Sequence, residues 1–569
     1  MNCLAKHLVV VFILCSFNLR AQNPYSETNF RSPLDIPLVL AGTFGELRSN
    51  HFHAGIDIKT KGMEGFPVLA IDSGYVSRLK TRPGGYGKAL YLTHYNGYVS
   101  VYAHLQGFEA VISSYLLSKQ YSAQKFSVDL FPEIEQFKFH KGDTIAWTGN
   151  SGGSTAPHLH FEIRDAKTQE TINPLLFGFK VKDTTPPTLR NIHVYPLSTH
   201  STINGAADTL RLPIRKISDR KYSIDSIDIV VNGVVGFGID VFDRFDNAPN
   251  KNGIYSIELF VDSNLVYKHK MERFAFSETR YINSFMDYHA KKNYSIRPQK
   301  SFKDPNNDLS VYEFLENEGH LKFDTSKKHQ AYYLIKDAQG NESTLSFNFS
   351  SDTSVVEIEK DSQPLLFLHE EDNRFEEDDF SLFIKQNSLY NDLEFRYKII
   401  KSSVDFISDI HCIHNTETPV HSAFSISLTI KDLAKELKSK TQVCSVDAKG
   451  NVSCLSSYWL GDTLIAKSSS FGNFSAIIDT VAPNLKIKSF TYDLSEAKNM
   501  SFTVEDKLSG VSTYNAFVDG EWVLLEYDPK NKRLTHFFDG KITKGKHLIE
   551  LVVEDSVKNE KRLVLEFLR

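Results

Sequence analysis

Short apolar runs cut by glycine- and asparagine-rich turns fill residues 35–180, and this rhythm constrains the fold more than any other feature of the chain. The runs at 67–71, 75–79, 89–93, 98–103, 144–147 and 159–163 have strand length and are too short for independent helices. Between them stand Pro83-Gly84-Gly85, Asn96-Gly97, Lys141-Gly142-Asp143 and Gly149-Asn150-Ser151-Gly152-Gly153, residue types that turn the backbone. Asn96-Gly97 between two apolar runs predicts a hairpin. Residues 108–139 break the rhythm: 111–119 reads as a short helix inside an insertion. The expectation is a mainly β chain whose first unit is a compact antiparallel sheet.

Beyond residue 182 the pattern repeats at longer range. Lys182-Asp183-Thr184-Thr185-Pro186-Pro187 returns as Asp479-Thr480-Val481-Ala482-Pro483, each followed by similar strand-like runs. Asp337-Ala338-Gln339-Gly340-Asn341, Asp447-Ala448-Lys449-Gly450-Asn451 and Asp555-Ser556-Val557-Lys558-Asn559 close such runs. They read as tight turns needing positive φ rather than as calcium loops, since none is a dense run of carboxylates. Strands separated by turns at this spacing predict β-sandwiches at 183–350 (with residues 264–320 inserted), 351–478 and 479–569. These units resemble the immunoglobulin-like modules of bacterial secreted proteins, a resemblance that implies positioning or partner-binding roles, with envelope proteins as candidate partners.

Residues 1–21 read as an export signal, with Lys6 ahead of an apolar run at 8–17 and Ala21 before the cut. A lipoprotein signal using Cys15 is disfavoured by the bulky Phe12-Ile13-Leu14 before it. No run approaches the 18 or so apolar residues of a spanning helix, so no integral membrane segment is expected after cleavage. Loss of Lys6 and Arg20 takes the formal charge from −5 to −7, a near balance that gives no support for a nucleic-acid or anionic-membrane surface, and no nucleic-acid partner is expected. The expected location is the periplasm or cell envelope, or the extracellular space. Of five cysteines, Cys412, Cys444 and Cys454 remain. Cys444 and Cys454 flank a turn symmetrically, which permits a disulfide or leaves two buried thiols.

The chemistry-bearing residues lie at 22–182. His53 and Asp57, with Gly55 between them to permit a bend, offer an imidazole and a carboxylate, both zinc-ligand types. His158 and His160, two apart in a strand, share one face, while Leu159 and Phe161 face the other. His104 follows an alternating apolar run. Each alone has an ordinary structural explanation; His51 reads as an exposed neighbour, lacking the spacing of His53 to Gly55 and Asp57.

Together, His53-x-Gly55-x-Asp57, Tyr102-x-His104-Leu105, the run from Gly152-Gly153-Ser154 to His158-Leu159-His160-Phe161-Glu162, and Ile172-Asn173-Pro174 resemble the motifs of lysostaphin-type (LytM-like) zinc metallopeptidases. The resemblance covers about residues 35–180; Ala156 stands where glycine is usual. It implies that His53, Asp57 and His160 bind one Zn²⁺ and that His104 and His158 are the catalytic pair. It also implies an endopeptidase that hydrolyses peptide bonds in peptidoglycan cross-links. His158 is the first choice of base and His104 the oxyanion partner, with the roles open to exchange. The competing expectation is a non-catalytic wall-binding protein or a regulator of other wall hydrolases, which a missing ligand would mark.

Overall fold

The computed structural model describes residues 24–25, 28–225, 227–246, 248–353, 365–402 and 405–569, and the signal segment expected at 1–21 lies outside them. Among the described residues the chain is mostly strand, and no helix is long and apolar enough to cross a membrane.

The first unit is built on one antiparallel sheet. Its strands are β1 (Leu40–Gly42), β2 (Ile56–Lys59), β3 (Gly74–Thr81), β4 (Lys88–His94), β5 (Tyr98–Ala103), β6 (Val128–Leu130) and β7 (His158–Asp165). They lie side by side in the order β1-β2-β7-β5-β4-β3-β6. The hairpin expected at Asn96-Gly97 joins β4 to β5, with Gly97 at φ +88°. Period-two alternation sends Leu90, Leu92, Tyr102, Leu159, Phe161 and Ile163 into the main core. Ala89, Tyr91, Val99, Val101 and Ala103 face the other way, beneath a smaller cluster. The functional side chains stand on that second face.

The helix expected at 111–119 is present as α1 (Ala110–Ala123), capped by the Glu109 carboxylate, which accepts from Val111 N at 2.8 Å. The rest of the 108–139 segment adds β6 and the strand Lys138–Phe139 along β3. The insertion therefore extends the sheet edge.

Three further hydrophobic cores follow, within 189–349, 367–476 and 485–567. The last two are each enclosed by two antiparallel sheets, of five strands each and of four strands each, which is sandwich packing. Cys444 and Cys454 are directly opposed across a strand pair, and all three described thiols are free.

The segment 264–320 of the second unit reaches back to the first. Its strand Arg273–Phe274 pairs with Thr171–Ile172. Met271, Phe274, Ile282, Phe285 and Met286 form a buried cluster with Phe44, Leu47 and Phe52 of the first unit. The loop before β2 is thus sandwiched between two units.

Candidate metal centre and catalytic groove

β7 positions most of the site. Its outward row is His158, His160, Glu162, Arg164, every second residue, while Leu159, Phe161 and Ile163 fill the core behind. In register, His160 lies opposite Asp57 of β2 and Ala103 of β5. His104 follows β5 directly, in a left-handed conformation (φ +58°) that a non-glycine residue rarely adopts. His104 N donates to Tyr86 O at 3.0 Å and its ring Nδ1 to Ser151 O at 2.9 Å, which hold that turn. His53 enters from the loop before β2.

Gly55 lies at a bend, as expected, and does a second job there. Its φ lies outside the left-handed range, but a Cβ there would sit 2.2 Å from Phe161 O. The missing side chain lets the His53 loop lie against β7.

His53 Nε2, Asp57 Oδ1 and His160 Nδ1 form a triangle with sides of 3.0, 2.9 and 3.0 Å, all three residues buried. The outer nitrogens show where the ring protons are. His53 Nδ1 donates to Thr43 O at 2.7 Å, and His160 Nε2 donates to the Glu162 carboxylate at 2.8 Å. In the neutral tautomers this leaves two nitrogen lone pairs and a carboxylate oxygen pointing at one another. Such a cluster calls for a cation, and two imidazoles with one carboxylate at this spacing fit Zn²⁺, whose tetrahedral ligands lie about 3.3 Å apart.

The surrounding charges agree. Burial alone would depress His160, yet its hydrogen bonds to Asp57 and Glu162 hold it up at about 9. Burial pulls His53 down to about 4 despite Asp57. Asp57 is held well below the usual carboxylate range: its three histidine neighbours outweigh burial. Its other oxygen takes Arg48 Nη2 at 2.6 Å.

Sequence reasoning gave no role to Arg48, Tyr86, Glu162 or Arg164. Glu162 is fully buried, accepts from Tyr86 OH and from Arg164 Nε at 2.7 Å, and so fixes the His160 ring. Glu162 and Arg164 could have been found by continuing the period-two row past His160; Arg48 had no such signal.

His158 and His104 stand beside the triangle with ring centroids 4.8 Å apart. His158 Nδ1 faces Ala156 O at 2.9 Å and Ser154 Oγ at 3.1 Å, and its Nε2 lies 3.4 Å from Asp57 Oδ1. Burial and the neighbouring His160 and His158 press His104 down to about 3. All five histidine and aspartate positions expected from the sequence are brought together. His51 lies outside, exposed, with Nδ1 donating to Ser49 O at 2.8 Å.

The last unit of the chain forms part of the groove's rim. Lys530 Nζ donates to Ser154 O at 2.8 Å and to Asn150 O, and Lys88 Nζ pairs with Glu526 at 2.9 Å. On α1, Tyr121 donates to Asp539 and meets the Trp522 ring edge-on at 5.3 Å. A cleft of about 520 Å³, lined in part by Leu105, Gln106, Ser151, Glu526 and Lys530, lies between the two units.

Fold and site define a β-sheet peptidase domain of metal-dependent type. Residues 51–116, which hold His53, Asp57 and His104, match the model of peptidase family M23, and residues 365–479 match that of the Zu5-like domain. The DD-carboxypeptidase/endopeptidase Mpg of Neisseria meningitidis serogroup B is 32% identical over 118 residues, 21% of this chain and 21% of that protein. An uncharacterized metalloprotease of Haemophilus influenzae is 32% identical over 123 residues, 22% of this chain and 20% of its own length. The chain thus spans about a fifth of the length of the curated relatives it matches. The catalytic domain of the antimicrobial peptidase lysostaphin from Staphylococcus simulans is a structural neighbour at 23% identity, covering 25% of this chain and 91% of that one, with a TM-score of 0.19. The chain carries a lysostaphin-type M23 peptidase domain, followed by additional β domains that include a Zu5-like one.

Proposed function

We propose that this protein is an exported zinc endopeptidase that hydrolyses peptide bonds in peptidoglycan cross-links. The observation that carries the reading is the triangle of His53 Nε2, Asp57 Oδ1 and His160 Nδ1, three lone-pair donors about 3 Å apart with the ring protons turned away, beside two further imidazoles. Zn²⁺ held there would supply a Lewis acid and lower the pKa of a water toward 7.

The chain's own groups handle the protons. His104 is neutral over the working range, and with Nδ1 committed to Ser151 O its Nε2 is a proton acceptor. A standing imidazolium at His104, the oxyanion partner first expected from the sequence, would require charging a half-buried ring beside two other imidazoles. The exchange of roles is therefore favoured: His104 takes the proton, and His158, half-buried likewise, delivers one to the oxyanion. Glu162 and Arg164 orient His160 and do not touch the substrate. A non-catalytic wall binder would be marked by loss of one of these five groups, and none is lost. The sandwich units, read from sequence as immunoglobulin-like, would position the peptidase on the wall or on envelope partners.

Digestion of purified muropeptides with mass analysis, with and without chelator, tests the reading. His160→Ala should lose both bound zinc and hydrolysis; full activity in metal-free His160→Ala protein would overturn it. His104→Ala should keep zinc and lose about 10²–10⁴-fold in turnover.

A further inference from the structure

The turns beginning at Asp337, Asp447 and Asp555 share one hydrogen-bond pattern. In each, the aspartate Oδ1 accepts the N–H two residues on and that of the closing asparagine, whose Nδ2 returns to Oδ2 at 2.7 Å. Two of the three have something the third lacks. Asp183, Asp243 and Asp337 bring carboxylate oxygens within 4.8 Å of one another, and Asp479, Asp506 and Asp555 do the same. Each triad draws one aspartate from the start of a unit, one from just after a strand (Val234–Phe242 or Asn499–Glu505), and one from the turn. Residues this far apart in sequence cannot be recognised as one loop. The Asp447 turn is exposed and has no such companions among the described residues.

Two oxygens in the first triad are not otherwise satisfied. Asp243 is 1% exposed, and its Oδ1 has no hydrogen-bond partner among the described residues; the buried Oδ2 of Asp183 has none either. No lysine, arginine or histidine among the described residues forms an ion pair with any of the six aspartates. Buried carboxylates facing each other without a counter-charge repel and are poorly solvated, an arrangement that a bound cation relieves.

We propose that the first triad is a site for a hard divalent cation of the calcium type, stapling Asp183 at the start of its unit to two of that unit's own loops. Oxygen-only donors disfavour zinc and copper, and Ca²⁺ accepts irregular carboxylate geometry, completed by carbonyls or water, more readily than Mg²⁺. The site lies where the peptidase domain hands over to the next unit. Asn341 Nδ2 already reaches Asp183 O at 3.3 Å. The cation would fix the angle at which the chain leaves the peptidase domain. The carboxylates of the second triad instead accept backbone and side-chain N–H groups, Ser509 N on Asp479 Oδ2 at 3.2 Å and Gly510 N on Asp506 Oδ1 at 2.7 Å among them.

The test uses the full chain, stripped of metal, reloaded with one equivalent of Zn²⁺ and titrated with Ca²⁺ by calorimetry. The expected result is calcium uptake of which Asp243→Asn removes one equivalent per chain and Asp447→Asn none. No uptake at millimolar Ca²⁺, or uptake that Asp243→Asn leaves unchanged, overturns the proposal. Matching near-ultraviolet circular dichroism of variants and wild type in chelator checks folding. Independently, Ca²⁺ at about ten times its Kd should slow trypsin cleavage after the exposed Lys182 about tenfold in wild type and not in Asp243→Asn. Equal cleavage rates in wild type with and without Ca²⁺ would overturn the site.

Discussion

The rest of the chain holds the peptidase domain from two sides, and the two contacts are built from opposite materials. Behind the metal centre, Phe44 and Phe52 pack with Phe274 and Phe285 in a dry cluster. Phe52 N donates to Thr279 Oγ1 at 2.9 Å, and Arg164 lies 4.3 Å from the Phe276 ring. At the groove mouth, the contacts from the last unit are mostly polar or charged: Lys530 on backbone carbonyls, Lys88 with Glu526, and Tyr121 with Asp539. Apolar burial does not weaken with salt and allows only one close packing, whereas exposed charge pairs are weak and screened. The rear contact backs the loop that carries His53, whereas the front contact closes on the groove rim through polar groups.

The strongest challenge to this contrast is Phe274→Ala. Removing a fully buried ring should destabilise the protein by about 3–5 kcal/mol and weaken zinc retention, because the His53 loop loses its backing. Denaturant unfolding and metal analysis would read both, and an unchanged midpoint would mean the rear cluster supports nothing.

Acid should act next. The Glu162 carboxyl is fully buried, yet Arg164 and His160 outweigh that burial and hold it down at about 2. A carboxylate depressed on folding stabilises above its unfolded pKa of about 4.3, and the contribution disappears as pH falls toward 2. Stability worth on the order of 3 kcal/mol should therefore be lost between about pH 4.3 and 2, and Glu162→Gln should flatten that part of the profile.

Thr279→Val, which leaves the Phe52 N–H without its acceptor, should cost about 1–2 kcal/mol by the same unfolding measurement. Smallest of all, Glu526→Gln should change stability by no more than about 1 kcal/mol, an effect abolished by 1 M salt. A Glu526→Gln effect as large as that of Phe274→Ala, or one indifferent to salt, would erase the distinction between the two sides.

Much of the site was legible because its residues follow short-range rules. His158 and His160 share a face by strand alternation, and the Asn96-Gly97 hairpin sets β4 against β5. What could not be read was the meeting of distant segments. Thr43 O and Arg48 act on the metal centre from a loop whose position depends on residues 271–286, more than 200 positions later. The aspartate turns were correctly read as turns. Their additional partners at Asp183 and Asp243 were hidden because proximity there comes from tertiary folding, not spacing. The second role of Gly55 was hidden for the same reason: its neighbour is Phe161 O, on another strand.

The contact between Lys530 and Ser154 joins residues 376 positions apart, and that between Lys88 and Glu526 joins residues 438 apart. In the order of synthesis, the peptidase domain emerges hundreds of residues before this part of its groove rim. A chain cut short before residue 526 would carry His53, Asp57, His104, His158 and His160 and yet present an unfinished mouth. The shape of the groove therefore depends on residues made long after those of the site.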